Sequence, residues 1–142
     1  MTNPLPQARP IPRSDDHLNG QFWAHCREGK LCFQRCLDCS TWRHMPRYMC
    51  AACGSDRWEW QESSGRGRIF SWIITHQAMH PKFRDETPYA ALVVEMEEGV
   101  RFVSRPLGIA NADLAIDLPV QVVFENLGED FTLPLFRRLA GS

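Results

Sequence analysis

The sequence predicts a mainly β protein: an N-terminal helix, a four-cysteine ribbon, and a five-stranded OB-type barrel. Three observations carry that reading. Four cysteines stand as two close pairs, Cys36-x2-Cys39 and Cys50-x2-Cys53, separated by a ten-residue loop. Beyond residue 63, five segments rich in aromatic and β-branched residues alternate with turn signals. Ten prolines and nine glycines among 142 residues favour strands and turns over long helices. A chain of this length suffices for one ordinary domain, or for a small metal module joined to a small barrel.

Residues 1–14 hold four prolines and few large apolar groups, which reads as an extended arm. Ser14 or Asp15 then caps a helix over roughly Asp16 to Glu28. Leu18, Phe22 and Cys26 recur every fourth residue on one face of it, with Trp23 and His25 alongside. Gly29 supplies the stop. A helix of about three turns is unstable alone in water, so its aromatic face must pack on the rest of this chain or on a partner. The helix and ribbon together are expected over residues 15–62.

"LCFQR" reads as a strand entering the first cysteine pair and "RWEWQE" as one leaving the second. Two residues between cysteines let a tight turn aim both sulfurs at one centre, and four thiolates select zinc or iron as a closed structural site. Gly54 follows the second pair, where such a knuckle often needs positive φ, and Ser40 holds the matching place after the first. A redox dithiol and four free buried cysteines are the rival readings. With every coordination position filled by protein, the metal leaves no place for an activated water. His44, inside the loop, is expected as a surface histidine, and Trp42, Arg43, His44 and Arg47 as a possible contact surface. Cys26 and Cys32, lacking close partners, read as buried small apolar residues.

The barrel is expected over residues 63–142. "RIFSWIITH" is its first strand, "PYAALVVEME" the second and "VRFVSRP" the third, with a turn near Glu98 and Gly99. "GIANADLAID" holds a short helical turn, and "PVQVVFENL" and "FTLPLFRRL" are the last strands, turning near Gly128 and Glu129. Five strands with a longer connection between the third and fourth match an OB-type barrel, with a small β-sandwich as the alternative. Phe70 and Trp72 are expected on one strand face, as a base-stacking surface would need. Charge argues against nucleic acid, because acidic residues outnumber basic ones from Gln61 onward.

Catalytic groupings are weak. His76 and His80 are four apart, but Pro81 and the preceding strand argue against a helical metal pair. Ser104, Asp113 and His80 supply the residue types of a triad without any spacing that makes them converge. Glu95, Glu97 and Glu98 read as a solvated strand end and turn. The sequence has no run of 18 apolar residues, and its beginning lacks the apolar centre of a secretory signal, so cytoplasm is the expected compartment.

The order of segments adds a resemblance. "FWAHCREGKLCFQRCLDCSTWRHMPRYMCAACGS" followed by "WEWQESSGRGRIFSWIITHQAMHPKF", "PYAALVVEMEEGVRFVSR" and "LPVQVVFENLGEDFTLPLFRR" resembles the domain-of-unknown-function 35 family. The resemblance implies an N-terminal helix and rubredoxin-like zinc ribbon ahead of an OB fold, with Cys36, Cys39, Cys50 and Cys53 as zinc ligands. It also implies a non-catalytic accessory subunit working beside a thiolase-like acyl-CoA enzyme (a thiolase, aldolase or acyltransferase, in some cases a hydratase), stabilising that partner, shaping its substrate entrance or helping to hold the CoA-linked substrate. Arg66, Arg68, Lys82 and Arg84 are the candidate contacts for CoA phosphates, and the barrel mouth for a pantetheine arm. A free-standing OB-type nucleic-acid or ligand binder is the second reading, and an intrinsic acyl-CoA enzyme the third.

Overall fold

The computed structural model describes residues 17–77, 81–127 and 131–140. The expected arm over 1–14, the helix cap, His80, the turn near Gly128 and Glu129, and the side chain of Lys82 lie outside the described residues. One α-helix, α1 (His17–Arg27), opens the described chain. A three-stranded antiparallel sheet follows, made of β1 (Cys32–Cys36), β2 (Trp42–Arg43) and β3 (Trp58–Glu62) in the order β2-β1-β3. A five-stranded antiparallel sheet completes it: β4 (Arg66–Thr75), β5 (Tyr89–Met96), β6 (Arg101–Ser104), β7 (Pro119–Asn126) and β8 (Thr132–Arg138). Its order is β6-β5-β4-β7-β8.

Helix α1 ends where the sequence says it should. Gly29 takes φ +76°, its amide donates to the Cys26 carbonyl at 2.9 Å, and the Lys30 amide donates to the His25 carbonyl at 3.0 Å. These two bonds are a Schellman closure, which needs a left-handed residue and therefore favours glycine. The helix buries Leu18, Phe22 and Cys26. Burial pushes the Cys26 thiol up to about 12 and the Cys32 thiol up to about 11, so both stay protonated and behave as small apolar groups.

The larger sheet curls until its outer strands meet. Pro106 and Phe136 form a parallel bridge, with the Leu107 amide donating to the Phe136 carbonyl at 2.7 Å and the Phe136 amide to the Arg105 carbonyl at 3.1 Å. The result is a partly closed OB-like barrel, not two stacked sheets. The longer connection between β6 and β7 carries the expected short turn of helix, at Asn111–Asp113.

One expectation about the barrel fails. Pairing of β4 with β5 shifts register between Ile69 and Ser71, so Phe70 is a bulged residue. Ile69 faces the core opposite Val94, and Trp72 packs against the core opposite Leu92. Next to Ile69, Phe70 points outward, 41% exposed, beneath the Arg101 guanidinium, and the extra residue brings Trp72 round to the core face. Phe70 and Trp72 therefore do not share a face, and the stacking surface is not formed by this pair.

Ribbon and barrel share one apolar core. Phe22 and Cys26 from α1 and Leu31 and Phe33 from the ribbon join Ile69, Leu92, Val94, Val120 and Phe136 from the barrel. Phe102 sits at the junction, with ring centroids 6.0 Å from Phe22, 5.9 Å from Phe33 and 6.1 Å from Phe136. Trp23 packs on Phe131 at 4.8 Å. Each large apolar side chain buried this way contributes about 1.5–3 kcal/mol, which is how a helix too short to stand alone is held.

Candidate metal centre

The two cysteine pairs form matching knuckles. In the first, the Ser40 amide donates to the Cys36 carbonyl at 3.0 Å and the Cys36 amide to the Thr41 carbonyl at 2.9 Å. In the second, the Gly54 amide donates to the Cys50 carbonyl and the Cys50 amide to the Ser55 carbonyl, both at 2.8 Å. Ser40 and Gly54 adopt φ +64° and +77°, so the position read from Gly54 needs left-handed backbone in both turns. Serine tolerates it at a cost of roughly 1–2 kcal/mol.

These turns bring the sulfurs of Cys36, Cys39, Cys50 and Cys53 within 4.8 Å of one another, with Cys36 to Cys53 and Cys39 to Cys50 each at 3.6 Å. Four thiolates about 2.3 Å from a tetrahedral metal stand about 3.8 Å apart, so the cage fits a structural zinc or iron. Backbone amides turn toward the sulfurs. That of Cys39, foremost, pulls the Cys36 thiol below its ordinary value, aided by the amide of Asp38 and opposed by burial. The Thr41 hydroxyl, 3.1 Å from Cys39 Sγ, together with the Thr41 amide holds that thiol down to about 6. Such contacts favour the thiolate that a metal requires.

Asp38 ties the knuckles together. Its carboxylate accepts from the Arg57 guanidinium and the Ser55 hydroxyl, which lie beyond the second pair, and Arg57 beside it, with help from Ser55, holds its pKa down to about 2. Nothing local in the sequence marks this link, because three polar residues so far apart give no signal until the chain returns.

The loop between the pairs is organised from beneath. Gln34 on β1 is fully buried, and its Oε1 accepts from Arg43 Nε and from the Arg47 amide, both at 2.7 Å. Arg43 also donates to the Arg47 carbonyl at 2.8 Å and stacks over Trp58. His44 departs from expectation. It is not a surface residue but lies among Phe22, Phe33 and Phe102 at 5.1, 5.4 and 5.0 Å, and burial lowers its pKa to about 4. The reason is tertiary: the loop folds back over the helix and β6, which local sequence does not reveal. Outward instead stand Arg47 and three apolar residues, Met45, Tyr48 and Met49, each more than half exposed (53%, 62% and 59%).

The basic residues singled out in the barrel are not brought together. Arg66 and Arg68 lie at one end of the β4–β5 hairpin, Arg66 paired with Glu97 at 3.3 Å and Arg68 with Glu95 and Asp117, both at 3.6 Å. Exposed Arg84 lies in the 3-10 turn Pro81–Glu86, beyond the other end, where Thr75 pairs with Tyr89. Eight strand residues put roughly 25 Å between those ends.

A ribbon clasped by four thiolates and joined through one core to an OB-like barrel defines the class of this protein. Residues 23–59 match the ChsH2 rubredoxin-like zinc ribbon domain and residues 60–125 the ChsH2 C-terminal OB-fold domain. The chain belongs to the DUF35 family, of the ChsH2 type. It is 35% identical to a chain of a solved structure described as an Ltp2-ChsH2(DUF35) aldolase, covering 92% of this chain and 98% of that one with a TM-score of 0.80. It is 30% identical to a DUF35 domain-containing scaffold protein of Methanocaldococcus jannaschii, over 81% of this chain and 82% of that protein. A probable enoyl-CoA hydratase alpha subunit of Thermomonospora curvata is 37% identical over 127 residues, 89% of this chain. The chain spans 39% of that hydratase subunit's length.

Proposed function

We propose that this chain is a non-catalytic accessory subunit of a thiolase-like acyl-CoA enzyme, working in the cytoplasm and joining its partner in a hetero-oligomer. The carrying observation is the end-to-end likeness to the DUF35 chain of an aldolase, reinforced by relatives described as a scaffold protein and a hydratase subunit. In this reading the reacting groups belong to the partner. The metal, zinc rather than iron, is sealed by four cysteines and holds the ribbon in shape. Residues 15–62 and 63–142 are the proposed units, the helix with the ribbon and the barrel, behind an arm over 1–14.

The ribbon loop is the proposed docking surface. Met45, Tyr48 and Met49 expose apolar area that a soluble surface rarely groups, and Arg47 stands among them. Arg66, Arg68, Lys82 and Arg84 are the proposed contacts for CoA phosphates, with exposed Arg84 ahead of Arg66 and Arg68, whose charges are already offset by carboxylates. Native purification with mass determination tests the reading. A stable assembly with an acyl-CoA enzyme is expected, and Tyr48→Glu with Met49→Asp should release the partner while the metal stays bound. Recovery of a lone monomer from native extract would overturn it.

A further inference from the structure

The ribbon loop has donors to spare and few acceptors. No aspartate or glutamate occurs from Cys39 to Gly54, while Arg43 and Arg47 both stand there. Burial keeps His44 uncharged at neutral pH, so it adds no charge of its own. Beneath the loop, Gln34 Oε1 already accepts from Arg43 Nε and from the Arg47 amide. Gln34 is fully buried, and its Nε2, like Arg43 Nη1, meets no acceptor among the described residues. Buried donors are ordinarily paired, so two together mark a surface that favours an anion.

An open hollow of about 590 Å³ lies against this loop, lined by Arg43, Met45, Arg47, Met49, Ala51 and Ala52 among others. The two arginines play different parts in it. Arg43 donates to neutral oxygens, Gln34 Oε1 and the Arg47 carbonyl, and so braces the loop from within. Arg47 holds the loop through its backbone, amide to Gln34 and carbonyl from Arg43, while the residue itself is exposed. The thiolates of the clasp draw on the knuckle amides and the Thr41 hydroxyl.

We infer that the partner subunit seats one aspartate or glutamate in this hollow, its carboxylate taken by the Arg47 guanidinium and its apolar neighbours packed on Met45 and Met49. The inference rests on the partnership proposed above and names the chemistry that the loop recognises. A planar guanidinium can take both oxygens of a carboxylate, and thioether side chains adapt to the surface around it. Desolvated at the centre of an interface, such a pair counts for far more than one on the rim. Charge complementarity selects the occupant, since the hollow offers cations and apolar walls without a carboxylate of its own.

The natively purified complex of the full metal-loaded chain with its acyl-CoA enzyme supplies the test. Arg47→Lys keeps the charge and adds a primary amine to a chain whose own lysines are Lys30 and Lys82. Treated with a water-soluble carbodiimide, that complex should gain an amide bond between position 47 and an aspartate or glutamate of the partner, read by mass spectrometry of the digest. Arg47→Gln should weaken the complex by about tenfold in low salt and flatten its salt dependence, because the charge is gone while the backbone bonds that hold the loop remain. A complex with no cross-link at position 47, or one whose affinity Arg47→Gln leaves unchanged while Tyr48→Glu with Met49→Asp still releases the partner, would overturn the carboxylate and leave the partnership standing. Failure to recover any complex would overturn both.

Discussion

The ribbon and the barrel solve the same problem with different chemistry. The barrel is held by aliphatic and aromatic side chains on alternating strand positions, Ile69, Leu92, Val94, Val120 and Phe136 among them, all fully buried. The ribbon's strand β1 buries Gln34 beside Phe33, and its side-chain carbonyl accepts from the Arg43 guanidinium and the Arg47 backbone amide beneath the loop. A region this short cannot enclose enough apolar area, so thiolate–metal bonds take over much of the work and a polar centre is tolerated. The lesson is that the metal organises the ribbon, while the ribbon and helix in turn complete the barrel's core through Phe102.

Stripping the metal, or replacing Cys36 with Ser, should have the largest effect, because binding free energy on the order of 10 kcal/mol is coupled to folding in such modules. Hydrogen exchange should show amides of β1 to β3 losing protection while β4, β5 and β7 keep most of theirs. Equal loss in both regions would erase the contrast. Phe102→Ala acts at the junction and should cost about 3–5 kcal/mol in chemical denaturation. Since Phe102 touches Phe22, Phe33, His44 and Phe136, both regions should melt earlier together.

A third test uses pH. An unfolded chain protonates His44 near 6.5, whereas the buried ring resists until about 4. Above 6.5 both states hold the neutral ring; as pH falls from 6.5 to 4 the unfolded state alone gains the proton, so stability declines by up to about 3 kcal/mol. Acid also protonates thiolates, so the diagnostic quantity is the difference between the native chain and His44→Phe. The variant should show the shallower slope in denaturation midpoints over that window. The smallest effect is expected for Gly29→Ala, where nothing lies within 4 Å of the added methyl but φ is +76°, a cost of about 1 kcal/mol by thermal melting.

Strand by strand, the barrel was legible through aromatic and β-branched content between turn signals, as in "PYAALVVEME", while the strict in-and-out alternation of burial along β5 emerges only in the fold. The bulge at Phe70 was not, since one inserted residue is decided by how β4 pairs with β5 and leaves no local mark. The four cysteines announced their site through spacing, yet the surrounding loop was misjudged at His44. An imidazole between arginine and methionine looks exposed until Phe22 and Phe102 arrive from elements far along the chain.

Short-range spacing and backbone preference were enough to mark the four cysteines that cluster, the helix with its glycine stop, and the order of strands along the chain. Tertiary structure alone decided which way His44 faces, that Arg66 and Arg68 meet carboxylates, and that the bulge at Phe70 brings Trp72 to the core. Those outcomes depend on which distant side chain completes a contact, and only the closed chain supplies that partner.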